Sequence, residues 1–144
     1  MLKIVARISP LFVLATVITL AVLEYRVPPP PLVLGLQLLA VALVIWARSS
    51  FPARAFRGGM TPGGETIIRR GPYAVIRHPM YAAAMLFIWS GLLAQRSALA
   101  LAAALVLTGI GTARILVEER VLREHFPDYA EYARATKAVV PFIL

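Results

Sequence analysis

Cysteine is absent from this 144-residue chain, and histidine occurs only twice, as His78 and His125. Without cysteine the protein can form neither a disulfide framework nor a thiolate metal site. Two imidazoles are too few for the usual zinc site built from protein side chains, so no metal site is expected. Acidic residues are also scarce: 7 Asp and Glu stand against 15 Lys and Arg, which gives a formal net charge of +8.

This basic excess is typical of two classes, nucleic-acid-binding proteins and membrane proteins with basic loops. Hydrophobic residues make up 60% of the chain, above the roughly 45–50% of soluble domains. A chain this short cannot bury so much apolar surface in one aqueous core. The composition therefore favours a membrane protein with the lipid bilayer as its partner, and no nucleic-acid partner is expected.

Four long stretches of the sequence carry no charge. Each is close to the length of a short transmembrane helix, which needs roughly 17–25 apolar residues. The first stretch, behind Lys3 and Arg7, also resembles a signal peptide, but no A-x-A cleavage site precedes Glu24, which favours an uncleaved helix. We therefore predict an all-α integral membrane protein with about four transmembrane helices. The stretches are residues 8–23, 27–47, 79–95 and 97–113.

Basic residues are distributed unevenly among the loops that these helices would leave. If both termini and the central loop lie on one side, that side carries 13 of the 15 basic residues. Only Arg26 and Arg96 remain on the other side. Because Lys and Arg accumulate in cytoplasmic loops, we expect a multi-pass protein with both termini and the central loop in the cytoplasm.

The central loop, residues 49–77, differs in composition from the segments around it. It contains five glycines and three prolines, which interrupt helices, and it is long enough to fold over a ligand. Loops of this length inside compact domains are usually functional or disordered. We divide the chain into an N-terminal two-helix membrane segment, 1–48, and a core of loop, helical hairpin and C-terminal helices, 49–144.

Beyond Arg114 the sequence is amphipathic, with apolar and charged residues alternating at helical spacing. Pro127 should end this helix, and a second short helix is expected over 128–135. By default, such a segment lies on the membrane surface with its charged side chains in water.

Two clusters of polar and aromatic residues, 71–81 and 114–119, flank the last two predicted spans. These spans, joined by a predicted tight turn at Gln95-Arg96-Ser97, would cross about 25 Å of membrane and return. The hairpin should therefore bring His78 and Glu118 to the same face. The positive end of a helix begun by Pro79 suits a carboxylate, whereas the acidic side chains suit an ammonium or a sulfonium.

Each of these residues also has a plainer interpretation. Arg77 can be a juxtamembrane anchor and Pro79 a helix starter. Tyr73 and Tyr81 fit the aromatic belt at the membrane interface. These interpretations do not explain why the two clusters converge.

Three motifs resemble those of the isoprenylcysteine carboxyl methyltransferase family and its phospholipid methyltransferase relatives. They are Gly71-Pro72-Tyr73, Arg77-His78-Pro79-x-Tyr81 and Arg114-Ile115-x-x-Glu118-Glu119. The tail also departs little from the family's Phe-Gly-x-x-Tyr-x-x-Tyr pattern, with Phe126, Pro127, Asp128, Tyr129 and Tyr132, then Pro141-Phe142. The resemblance covers about residues 49–144.

The resemblance implies a membrane-embedded methyltransferase that uses S-adenosylmethionine without a Rossmann domain and releases S-adenosylhomocysteine. It also implies a lipophilic acceptor, such as a carboxyl group or a phospholipid. In the catalytic set, Arg114 matches the family's substrate-contacting arginine, and Arg77 and Glu119 would support it. The residues implied in cofactor binding are Thr66, Ile67, Ile68, Tyr73, His78, Pro79, Met80, Tyr81 and Glu118.

One position departs from the family: Ala83 stands two residues after Tyr81, where glycine is common. The extra methyl group weakens the inference about the substrate more than the inference about the cofactor. The N-terminal half has two spans where the eukaryotic carboxyl methyltransferases have more, so a prenyl-cysteine acceptor is not implied.

Two other functions stay open at the level of sequence. Sterol reductases of the same broad superfamily share C-terminal features and would bind NADPH, although the pair Glu118 and Glu119 would repel its phosphates. A small four-helix transporter would need an ionisable residue within the membrane, and the four charge-free stretches offer none. In every case Gly109 and Ala113, four residues apart, would support helix packing or a homodimer.

Overall fold

The computed structural model describes residues 29–50 and 67–139, and within them the chain is helical, with one isolated bridge and no β-strand. The all-α prediction is therefore confirmed for these residues. The predicted first span, 8–23, and most of the central loop lie outside the described residues. The helices are α1 (Pro31–Ser49), a short 3-10 helix (Gly71–Ala74), α2 (Pro79–Gln95), α3 (Ala98–His125) and α4 (Tyr129–Ala135).

The ends of the helices follow from local sequence signals. Pro31 and Pro79 open α1 and α2, where the missing amide hydrogen has no intrahelical partner to lose. Arg96 ends α2 in the left-handed conformation, with φ 44°. Ser97 then caps α3 by accepting a hydrogen bond from the amide of Ala100 at 3.0 Å. The tight turn predicted between the last two spans is confirmed.

Two helices, α1 and α3, are long and apolar enough to cross a membrane, and α2 is an apolar helix of 17 residues. Large apolar side chains on their outer faces are exposed: Leu38 is 70% exposed and Leu99 is 67% exposed. Water would disfavour that exposure, whereas lipid does not. About four spans were expected; the described residues contain two candidates and one shorter apolar helix.

Small side chains line the helix contacts, in which α1 packs against α2 and α2 against α3. Small residues let helix backbones approach closely, which membrane helices need because lipid gives apolar side chains no drive to associate. Ala83, which replaces the family's glycine, is among them and is 1% exposed. Within α1, α2 and α3, the buried small residues are Ala40, Ala47, Ala83, Ser90, Ala100 and Ala104.

The chain beyond α4 returns to the segment that leads into α2. Ile76 and Lys137 form a parallel bridge. The amides of Arg77 and His78 donate to the carbonyls of Lys137 and Ala138, at 2.8 and 2.9 Å. The backbone before α2 is therefore held by hydrogen bonds from a segment about 60 residues later in the chain.

The start of the second described segment is attached to the end of α1. Arg70 Nε donates to the carbonyl of Ser50 at 3.0 Å. Gly71 follows with φ +60°, and a Cβ at this position would collide with Ser50 Oγ. Glycine is required here both for its backbone conformation and for space.

Candidate active site

A histidine lies between two adjacent carboxylates at the end of the α2–α3 hairpin that is opposite its turn. His78 immediately precedes α2 and is 5% exposed. Its Nε2 is 3.1 Å from Glu119 Oε1, and its Nδ1 is 3.7 Å from Glu118 Oε2. The prediction that the hairpin brings His78 and Glu118 to one end of the molecule is confirmed.

Glu119 is the most heavily bonded side chain of this cluster. Its Oε1 accepts hydrogen bonds from Arg77 Nε at 2.7 Å, from the Tyr129 hydroxyl at 2.8 Å and from His78 Nε2. Its Oε2 accepts from Arg123 at 3.2 Å. With four donors around it, this half-buried carboxylate holds other side chains in place and has little capacity left for a ligand.

Arg77 forms hydrogen bonds with other groups besides the Glu119 carboxylate. Its Nη1 also donates to the carbonyls of Ala133 and Thr136, the former at 3.0 Å. The Arg77 side chain is only 12% exposed. A simple juxtamembrane anchor would extend toward lipid headgroups or water, so the geometry favours the alternative that Arg77 supports the site.

Glu118 has a different set of partners from its neighbour. Its Oε1 accepts from the Tyr81 hydroxyl at 2.6 Å and lies 3.5 Å from Arg114 Nη2. Arg114 Nε in turn donates to the Tyr81 hydroxyl at 3.0 Å. The other oxygen, Oε2, faces His78 Nδ1. Glu118 is therefore fixed by one oxygen and directs the second toward the histidine.

Arg114 has one atom that these contacts do not satisfy. Among the described residues, its Nη1 is a buried side-chain nitrogen with no hydrogen-bond partner. Leaving a buried donor unpaired costs about 1–3 kcal/mol, and more for a charged group, so native proteins rarely do so without a reason. Nothing in the sequence indicated this unpaired nitrogen, because it depends on which partners Nε and Nη2 contact.

Two tyrosines of α4 complete the cluster. Tyr129 and Tyr132 are 1% and 5% exposed, and the Tyr132 hydroxyl donates to the carbonyl of Tyr73 at 2.7 Å. Burial raises the pKa of Tyr132 to about 12 and holds the pKa of Tyr129 well above its usual value. Both phenols therefore keep their protons at neutral pH and act as donors. The sequence showed them only as part of the tail pattern, although their three-residue spacing places both on one side of a helix.

Of the predicted site residues, six form one connected network: Arg77, His78, Tyr81, Arg114, Glu118 and Glu119. Of the other predicted residues, Tyr73 and Pro79 are buried, and Ile67, Ile68 and Met80 are half-buried. Their roles in cofactor binding stay predictions. Thr66 and the Pro141-Phe142 pair lie outside the described residues.

The model of the phospholipid methyltransferase family matches residues 31–129 of this chain. The cobalt-zinc-cadmium resistance protein CzcN of Cupriavidus metallidurans is 36% identical over 117 residues, which are 77% of this chain and 50% of that protein. The nickel-cobalt-cadmium resistance protein NccN of Alcaligenes xylosoxydans xylosoxydans is 36% identical over 77 residues, 52% of this chain and 36% of that protein. The chain thus spans half or less of the length of these curated relatives.

The family match covers α1, the α2–α3 hairpin and the charged residues that converge at the end of the hairpin opposite its turn, which we call the polar end. It includes the Arg77 to Tyr81 motif and the Arg114 to Glu119 motif, on which the resemblance in the sequence depended. The resemblance is therefore confirmed. The protein is a membrane protein that belongs to the phospholipid methyltransferase family, the group of membrane methyltransferases to which the isoprenylcysteine carboxyl methyltransferases are related.

Proposed function

We propose that this protein is an integral membrane methyltransferase that transfers a methyl group from S-adenosylmethionine to a lipophilic acceptor. Family membership supports methyl transfer in general. The observation that carries the choice of cofactor is the approach of His78 Nδ1 to Glu118 Oε2, which lie 3.7 Å apart.

The pairing with Glu119 determines which nitrogen of His78 carries a proton. Glu119 Oε1 already accepts from Arg77 and Tyr129, and an ionised carboxylate can only accept, so we assign the His78 proton to Nε2. In the neutral ring with this tautomer, Nδ1 is an acceptor and faces a second acceptor, Glu118 Oε2. Two acceptors are stable at this distance when a donor binds both, and an ammonium group provides the N–H donors. The ammonium of a methionine-derived cofactor fits this place.

The unpaired Nη1 of Arg114 supports a second binding position. Tyr81 and Glu118 hold Nε and Nη2 of the same guanidinium, so the direction of Nη1 is fixed. An oxygen of the methyl acceptor, either anionic or carbonyl, would satisfy it with a charge-assisted hydrogen bond. Arg114 would then orient the acceptor, while His78 and Glu118 orient the cofactor.

When bound, S-adenosylmethionine supplies a methyl group activated by its positively charged sulfur. The chain would contribute mainly proximity and alignment, which can supply several kcal/mol of the barrier reduction. Ile67, Ile68, Tyr73, Pro79 and Met80 would line the cofactor pocket and exclude water. A partly dry site favours a reaction in which a cation is neutralised. Arg77 and Glu119 would keep the ligand-binding side chains in position without contacting the ligand themselves.

The distribution of charge supports a membrane topology of four spans with a cytoplasmic site. The charged network lies at one end of the α2–α3 hairpin, and Arg96 is at the other. If both termini and the central loop lie on the side of the network, that side carries 13 of the 15 basic residues, and the positive-inside rule then predicts that it faces the cytoplasm. The core, 49–144, would hold the site, and the acceptor would enter sideways from the bilayer. Gly109 and Ala113 are exposed on α3, which leaves room for a homodimer.

Metal resistance is a second candidate role, favoured by the names of the two relatives. Within residues 29–50 and 67–139, no group of three His, Asp or Glu side chains is placed to hold a metal ion. We infer that such a role would act through methylation of a membrane component.

The decisive experiment is a thermal-shift titration of the full chain in detergent with S-adenosylhomocysteine and, separately, with NADPH. We expect S-adenosylhomocysteine to raise the unfolding temperature, since ligand at about 100 times its Kd stabilises by about 2.7 kcal/mol. Glu118→Gln keeps the shape of the side chain but removes its charge, and should weaken this binding at least about tenfold. Stabilisation by NADPH alone would instead support the reductase.

A further inference from the structure

Helix α4 contributes a buried polar side chain that the proposed chemistry does not use. Tyr129 is 1% exposed and is one of the largest fully buried side chains among the described residues. Its hydroxyl donates to Glu119 Oε1 at 2.8 Å. A buried phenol needs such a partner, but many acceptors would serve. This bond ends on the carboxylate that also holds His78 and Arg77.

Three side chains meet at Glu119 Oε1, and their three bonds are unequal in length. Arg77 is closest at 2.7 Å, Tyr129 follows at 2.8 Å and His78 is the longest at 3.1 Å. Arg123 holds the second oxygen from the exposed side at 3.2 Å. If the Tyr129 donor were removed, Arg77 and Arg123 would determine the orientation of the Glu119 carboxylate. The bond to His78, as the longest of the three, is the one that such a turn would break first.

The His78 ring is aimed by this bond. With Nε2 held by Glu119, Nδ1 points at Glu118 Oε2. An imidazole with one nitrogen bonded has a fixed tautomer and a fixed plane. A ring released from Glu119 would lose both. The acceptor pair at the proposed cofactor position would then be lost without any change in His78 or Glu118 themselves.

We propose that Tyr129 is a positioning residue: its hydroxyl holds Glu119 so that Glu119 keeps His78 aimed at the ligand position beside Glu118. The effect on cofactor binding rests on the proposed function. The effect on the His78 ring does not, because it follows from the hydrogen bonds of the protein alone.

Tyr132 provides a matched control on the same helix. It lies three residues further along α4, is 5% exposed, and packs edge-on against Tyr129 with ring centroids 5.8 Å apart. Its hydroxyl donates to the Tyr73 carbonyl and not to Glu119. Tyr132→Phe therefore removes the same atom from the same helix and leaves the Glu119 network complete.

The first test observes the His78 ring by NMR of the full chain labelled with ¹⁵N-histidine in detergent. The chain has only two histidines, so His125→Gln assigns the signals, and the exposed His125 serves as an internal reference for an unrestrained ring. We expect the Nε2-protonated tautomer at His78 in the wild type and in Tyr132→Phe. Tyr129→Phe should shift the His78 signals toward those of His125. His78 signals unchanged by Tyr129→Phe would overturn the proposal.

The second test is a double-mutant cycle on S-adenosylhomocysteine affinity. Tyr129→Phe should weaken binding by about tenfold, the usual effect of one hydrogen bond to a charged group. If Tyr129 acts through Glu119, the variant carrying both Tyr129→Phe and Glu119→Gln should bind no more weakly than Glu119→Gln alone. Losses that multiply would show that Tyr129 acts by another route and refute the proposal. A wild type that binds no S-adenosylhomocysteine would refute the proposed function, and the NMR result would still decide the role of Tyr129.

Discussion

The two ends of the α2–α3 hairpin are built from the same two helices but are held together by different interactions. At the turn, Arg96 adopts a left-handed conformation, and nearer the middle of the hairpin Trp89 Nε1 donates to Thr108 Oγ1 at 3.0 Å. At the opposite end, Glu118 and Glu119 collect partners from three parts of the chain. The turn end has few polar contacts and much exposed apolar surface, whereas the opposite end is a dense polar network.

This difference indicates at which end a substitution should cost little of the folded protein's stability. Apolar and small residues pack in many similar arrangements, so a lost contact at the turn end leaves the rest in place. A buried ion pair is different, because removal of one partner leaves an uncompensated charge. The polar end should therefore be sensitive to single atoms and the turn end tolerant, and the following predictions test that contrast.

The largest effect is expected from Arg77→Ala. The substitution leaves Glu119 without its closest donor and removes the bonds to the carbonyls of Ala133 and Thr136. Breaking a buried pair on one side typically costs about 3–5 kcal/mol, so the free energy of unfolding should fall by about 3 kcal/mol. Thermal or denaturant unfolding in detergent measures the change.

Arg134→Ala is the matched control for this variant, because Arg134 is an exposed arginine on α4. It should change the free energy of unfolding by less than about 0.5 kcal/mol. Arg77→Lys should fall between the two, since lysine keeps the charge but cannot donate from a planar fork. Equal losses for Arg77→Ala and Arg134→Ala would contradict a structural role for the Arg77 network.

A more selective effect is expected from Arg114→Lys. Lysine preserves the positive charge near Glu118 but has no counterpart of the unpaired Nη1. Methyl transfer from labelled cofactor into a membrane lipid extract should fall by about tenfold to a hundredfold, as when a buried charged hydrogen bond is lost. S-adenosylhomocysteine affinity should change much less. Unchanged turnover would refute the substrate role of Arg114, and an equal loss of affinity would assign Arg114 to the cofactor instead.

The sequence predicted the hairpin well because charge marks the ends of its helices. Arg96 and Arg114 limit one apolar stretch, and His78 and Arg96 the other. Helix α2 begins and ends next to His78 and Arg96, whereas α3 begins beside Arg96 but continues past Arg114 to His125. That the two motifs converge follows from two antiparallel spans of similar length. The resemblance then identified the residues at the polar end, and the family match confirmed it.

The different roles of Glu118 and Glu119 within the site could not be predicted in the same way. Glu118 and Glu119 are identical side chains at adjacent positions, and they differ only because neighbouring residues on a helix point about 100° apart. The bond from Tyr129 to Glu119 and the bridge between Ile76 and Lys137 join segments that meet only after the chain has folded back. Hydrophobic periodicity and charge describe single helices and carry no information on such long-range contacts.

The smallest effect is expected away from the polar end, near the middle of the hairpin, from Trp89→Phe. Trp89 and Thr108 share one hydrogen bond between α2 and α3, and such bonds in membrane helices contribute about 0.6 kcal/mol on average. The free energy of unfolding should fall by about that amount, and Thr108→Val combined with Trp89→Phe should add almost nothing further. The His78 NMR signals and S-adenosylhomocysteine affinity should be the same as in the wild type. If Trp89→Phe altered ligand affinity as strongly as Tyr129→Phe, the apolar part of the hairpin would be coupled to the polar end, and the polar end could not be treated as a site held by its own hydrogen bonds.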